Sequence, residues 1–171
     1  MRERYKFILF YLVPLIGWMG LIYYSSSQTF EEQTVEPVLL DVNLSYIHSY
    51  FGWVSFYYGD TLVSLETRSP AEFVEFFIRK GAHVVTFAFL GILSYRLFSY
   101  FLKHVTSSSL LAVIFVAMYS TFDEYRQFLN PGRSGMVEDV ILNCVGGVLG
   151  ITLWINITKW VEKKRKQIPT T

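Results

Sequence analysis

Charge is scarce in this chain: Asp, Glu, Lys and Arg make up 17% of its 171 residues, against roughly a quarter in soluble domains. That deficit, beside 52% hydrophobic residues and a mean hydropathy of +0.34, excludes an ordinary soluble domain, a disordered chain and a nucleic-acid-binding one. It leaves a chain whose solvent is mostly lipid. Cysteine is almost missing. With Cys144 alone, an internal disulfide and any CxxC metal or redox motif are excluded. No internal repeat is visible.

What is present is a set of long apolar runs. Four stretches have the length of a spanning helix, about 20 residues: roughly 7–24, 82–102, 109–129 and 137–160. The first follows Arg2, Arg4 and Lys6 and contains Pro14, Gly17 and Trp18. At 18 uncharged residues it is long for a secretory signal sequence, so it reads as a span. Ten of the fifteen basic residues fall on one side of the proposed spans, with the chain ends and the turn after the second span, and twelve of the fourteen acidic residues on the other. Lysine and arginine distribution sets orientation. Both termini are therefore expected on the cytoplasmic side of a multi-pass protein, and residues 25–81 outside.

The fold expected is all-α: an integral membrane four-helix bundle, one domain over 1–171, with an extracytoplasmic loop region containing short interfacial helices. Val38–Trp53 and Ala71–Ile78 have near-helical apolar spacing. Tyr46, Tyr50, Phe51, Trp53, Phe56, Tyr57 and Tyr58 suit a membrane interface. Ser69–Pro70 reads as a hydroxyl cap followed by proline in the first turn, opening a helix that runs on into the second span. Val105–Ser108 reads as a short turn. Gly146 and Gly150 form a small-xxx-small pair, for packing within the bundle or, as the alternative, for a homodimer.

With this topology the unusual polar residues fall in one layer near the outer surface. Ser25–Gln28 close the first span, and Arg79, Lys80 and His83 open the second. Asp123, Glu124 and Gln127 close the third, while Arg133, Asp139 and Asn143 open the fourth. Lys80 with His83 is i,i+3, and Asp123–Gln127 and Asp139–Asn143 are i,i+4, so each group shares a helix face. Ionisable groups at membrane depth are costly enough to be paired or functional. Arg79, Glu72, Glu75 and Glu138 read instead as a rim that caps helices and meets headgroups. His48 falls in a loop and His104 in a turn. One inward histidine and scattered carboxylates do not match zinc spacing, so no metal and no cofactor is expected, although carboxylates with Asn143 have the chemistry for a hard cation.

Arg79–Lys80–Gly81–Ala82–His83, Asp123–Glu124–Tyr125–Arg126–Gln127, and Asn130–Pro131–Gly132–Arg133 followed by Asp139 and Asn143 resemble the VanZ-like family of bacterial membrane proteins. The element from Tyr24 to Gln28 is similar to that family's opening motif. The resemblance implies a small bundle in the bacterial cytoplasmic membrane, linked through the founding member to resistance against the lipoglycopeptide teicoplanin. It implies no particular reaction.

Two functions remain open on the residues alone. In one, the layer binds an anionic lipid-linked envelope precursor or a lipoglycopeptide through Arg133, Lys80 and Arg79, with Lys80, His83, Asp123, Glu124, Gln127, Arg133, Asp139 and Asn143 forming the site. In the other, an intramembrane enzyme modifies an envelope lipid or glycan, with His83 and Asp123 or Glu124 as acid and base. Membrane lipids are partners in both.

Overall fold

The computed structural model describes residues 2–167. Its first helical rod is α1 (Arg2–Phe7), a π-helical turn (Ile8–Leu12) and α2 (Val13–Ser27). The wide turn has a local cause: Pro14 lacks an N–H, and its ring would strike the carbonyl of Phe10 in a regular helix. That carbonyl instead receives Arg96 Nη2 at 3.4 Å.

Three short helices follow: α3 (Phe30–Gln33), α4 (Glu36–Leu40) and α5 (Ser45–Phe51). Then come β1 (Ser55–Tyr58) and β2 (Thr61–Ser64), an antiparallel hairpin pairing Tyr58 with Thr61. Gly59, at φ +58°, takes the first of the two turn positions, where a primed hairpin turn requires positive φ. Three long helices complete the chain: α6 (Pro70–Leu102), α7 (Val105–Leu129) and α8 (Val137–Gln167). The rod 4–27 and these three helices are each long and apolar enough to cross a membrane. The all-α four-helix membrane bundle is therefore the architecture observed.

Several boundaries differ from the sequence reading. The Val105–Ser108 turn is instead the first turn of α7. Lys103 adopts the left-handed conformation at φ 55° and ends α6, so Lys103 and His104 alone reverse the chain. Of the hydroxyl run that suggested a loop, Thr106 and Ser107 are exposed and Ser108 is fully buried. Val38–Trp53 is split between α4 and α5 by residues 41–44. The hairpin was not expected, because its alternation of inward Phe56, Tyr58 and Val63 was submerged in the aromatic cluster assigned to the interface. Ala71–Ile78 belongs to α6, whose start carries a full capping box between Ser69 and Glu72.

Three apolar clusters fix the site's position. Leu15, Ile22, Phe87, Leu90 and Val116 fill the bundle centre, and Tyr95, Ala112 and Ile151 lie toward the other end. Ile47, Val63, Leu65 and Phe73 form a separate core that clamps the hairpin and α5 onto the start of α6. Glycines bring α6 and α8 into backbone contact. A Cβ at Gly146 would stand 2.5 Å from the Val84 carbonyl oxygen, one at Gly91 would stand 2.5 Å from that of Gly147, and one at Gly150 would strike the Ala88 carbonyl. Within these interfaces Trp18 Nε1 donates to the Thr86 carbonyl at 2.9 Å and Tyr119 Oη to that of Met19 at 2.6 Å.

Candidate functional site

Helical spacing and the loop core together create a polar cleft at the loop-bearing end of the bundle. α6 contributes Lys80 and His83 one turn apart, α7 contributes Asp123 and Gln127, α8 contributes Asp139, and the α7–α8 connection contributes Arg133. These six line a cleft of about 630 Å³. Glu124 and Asn143 are not among its lining residues and stand behind its wall, 4% and 0% exposed. Asp123 is 2% and Asp139 4% exposed. Carboxylates that deeply enclosed are not a headgroup-facing rim; the cost of removing them from water must be met by partners.

Two networks meet that cost. In the first, Lys80 Nζ donates to both oxygens of Asp139, at 2.6 and 2.7 Å, and Tyr58 Oη donates to Asp139 Oδ1 at 2.6 Å. Burial first, and then the adjacent Asp139 carboxylate, push the Tyr58 phenol well above its usual pKa, which keeps it a proton donor. In the second, Asp123 accepts from Ser26 Oγ at 2.6 Å and Gln127 Nε2 at 3.0 Å, and Arg126 stands 3.5 Å away. Arg126 is itself stacked over Tyr23 at 3.5 Å and reaches Ser27 Oγ at 2.7 Å.

Asn143 selects the tautomer of a neutral His83 ring. Its amide nitrogen faces Ser120 Oγ at 2.9 Å and the Glu124 carboxylate at 3.5 Å, and a carboxylate accepts only from the N–H₂ side. Its carbonyl oxygen therefore faces His83 Nδ1, 3.2 Å away. Nδ1 carries the proton, and Nε2 of a neutral ring keeps its lone pair. Glu124 also accepts the Met136 backbone N–H at 3.1 Å, which ties the start of α8 to α7.

Arg133 is arranged differently from Lys80 and Arg79, the two cleft cations that pair with carboxylates. Its Nε donates to the Gln28 carbonyl at 2.5 Å, its Nη2 to the Ser25 carbonyl at 3.2 Å and to Gln33 Oε1. Among the described residues no carboxylate pairs with it. Arg79 does have one, Glu75, at 2.9 Å from Nε and 2.5 Å from Nη2, yet its Nη1 is buried without a hydrogen-bond partner among the described residues. Both guanidiniums stand 5.0 Å from the centre of the Phe30 ring. Burial, and then the like charge of Arg79, hold the Arg133 pKa below its usual value. An anion arriving between them would relieve both effects.

All eight residues singled out in the sequence thus converge, six on the cleft and two behind it. The rim assignment fails for Arg79 and Glu75: Glu75 is buried and accepts from Thr34 Oγ1 at 3.1 Å and the Val35 N–H at 3.3 Å as well as from Arg79. It holds for Glu72, which caps α6. The sequence reading placed Tyr58 at a membrane interface, whereas it bonds Asp139, and gave no role to Ser120, Gln33 or Phe30, whose positions depend on loop folding and helix rotation. Arg126 was within reach of it, since it lies three residues after Asp123 on the same helix. A family model described as VanZ/LLP1 matches residues 10–159, a stretch that contains every residue of the cleft. No curated protein and no solved structure matches the chain.

Proposed function

The chain belongs to the VanZ/LLP1 family, and from that premise and the cleft we propose that it is a cell-envelope membrane protein that binds the anionic headgroup of a lipid-linked molecule at the outer leaflet. The observation that carries this reading is Arg133: a half-buried guanidinium that among the described residues is anchored by neutral acceptors alone, beside an Arg79 Nη1 that has no partner among them. Phosphate and carboxylate match the planar fork of arginine. The basic residues of Arg4–Lys6 and Lys163–Lys166 support an orientation with both termini cytoplasmic and the cleft outside. A lipid-anchored wall precursor and a lipoglycopeptide of the teicoplanin type both carry an apolar tail and an anionic group, and both suit a cleft that adjoins the bilayer.

A second reading, an enzyme acting on an envelope lipid or glycan, has one specific observation in its favour, a His83 ring nitrogen within 4.8 Å of one carboxylate oxygen each of the buried Glu124 and Asp139. Nanodisc binding separates the two. With a polyprenyl diphosphate doped into phosphatidylcholine nanodiscs, Arg133→Lys is expected to weaken binding about tenfold or more, the loss of a charge-assisted hydrogen bond of about 1.5–3 kcal/mol. His83→Ala is expected to retain it. Equal binding by wild type and Arg133→Lys, at equal thermal stability, would contradict the proposal. Release of inorganic phosphate or a shortened glycan, lost in His83→Ala, would favour the enzyme.

A further inference from the structure

One ring nitrogen of His83, one carboxylate oxygen of Glu124 and one of Asp139 lie within 4.8 Å of one another, although they come from three helices and are 15 to 56 residues apart in the chain. We propose that these three side chains bind a divalent transition-metal ion of the zinc or manganese class, an assignment that goes beyond the headgroup reading and does not depend on it.

Four features of the surroundings argue for a cation. Glu124 and Asp139 are both nearly inaccessible, and among the described residues the single positive charge bonded to either is Lys80, on Asp139. One ammonium therefore stands against two buried carboxylates, and a divalent ion removes the imbalance. Asn143 Oδ1 lies 3.2 Å from His83 Nδ1; a neutral ring donating there would offer Nε2 as the ligand nitrogen, with the kind of outer hydrogen bond that orients metal-bound imidazoles. The carboxylates are oriented too, Glu124 by the Met136 N–H and Asp139 by the Tyr58 hydroxyl. Finally, the resident ammonium has somewhere to go. Lys80 Nζ already lies 4.4 Å from the Tyr58 ring centre and 5.5 Å from that of Phe76, so it keeps aromatic contacts when it gives up Asp139.

The ligand set selects the class of ion. Imidazole disfavours magnesium and calcium, two carboxylates disfavour copper(I), and a mixed nitrogen and oxygen set suits zinc or manganese. Three protein ligands leave coordination positions for water or a ligand oxygen. His83 and Asp139 are in the cleft wall, so those positions face the space that Arg133 borders. A phosphate or carboxylate there would meet the ion on one side and the guanidinium on the other.

The test is metal titration of the full-length protein in detergent after chelation, with Zn²⁺ and Mn²⁺ as separate probes, by calorimetry and by metal analysis after gel filtration. One equivalent per chain is expected with at least one of the two ions. Glu124→Gln and Asp139→Asn should each weaken it tenfold or more, while Glu138→Gln, the charge next to Asp139, should leave it unchanged. Lys80→Met should tighten binding several-fold, because it removes the competing ammonium; misfolding cannot produce that gain. Bound Mn²⁺ should show nitrogen hyperfine coupling that disappears in His83→Gln. Absence of stoichiometric binding by both ions, equal affinity in Glu124→Gln, or weaker binding in Lys80→Met would overturn the assignment.

Discussion

At the scale of single residues, the site is a balance of buried charges, and each substitution tests one side of it. Asp123 is held by Ser26, Gln127 and Arg126. Asp123→Asn keeps the shape but leaves Arg126, 20% exposed, without its carboxylate. Exposed ion pairs are worth about 0–1 kcal/mol, whereas upsetting a buried hydrogen-bonded group costs about 1–3 kcal/mol. We expect Asp123→Asn to lower the thermal midpoint in detergent by several degrees and Glu72→Gln, at the exposed cap of α6, to lower it less. An unchanged midpoint for Asp123→Asn would mean that the bonds to Ser26, Gln127 and Arg126 do not support the fold. These identities were legible in the sequence because helical spacing needs no knowledge of the loops. The depth of Glu75 was not legible, since it is set by α3 and α4 folding over α6 through Thr34 and Val35.

At the scale of elements, two features hold the polar layer in register. The glycines of α8 let it lie against α6 at backbone distance, which brings Lys80 and His83 opposite Asp139 and Asn143. Gly150→Leu would force these helices apart, because no rotamer avoids the Ala88 carbonyl; the expected result is a large loss of monodisperse protein in detergent. Overpacking alone typically costs about 1–3 kcal/mol. Gly17→Leu, at a position with open space around its Cα, is expected to have little effect, and equal yields of the two variants would mean that the contact is not needed. The pair Gly146 and Gly150 was readable from its spacing, and the structure shows it packing within the bundle. The second feature, the hairpin, was hidden because four-residue strands carry little periodicity and their aromatics also suit a bilayer surface. Tyr58 reaches Asp139 only because that hairpin sits on the Phe73 core.

For the whole molecule, the four long apolar helices and the charge distribution were both plain in the sequence, and the helices are as expected apart from their ends. The proposed orientation rests on charge alone. Single cysteines at Glu66 or Ser134, in a Cys144→Ser background, are expected to react with an impermeant thiol reagent in intact cells, because the basic ends hold those loops outside. Labelling only after lysis would reverse the orientation. The cleft proposed to face outward has a testable property in Arg133, whose guanidinium is held by neutral acceptors with no carboxylate partner among the described residues. Native mass spectrometry of protein purified in mild detergent reads that property directly. Wild type is expected to keep a phosphate-containing lipid adduct that Arg133→Lys loses and Glu138→Gln retains. The same adduct at the same occupancy in Arg133→Lys would contradict headgroup binding at Arg133.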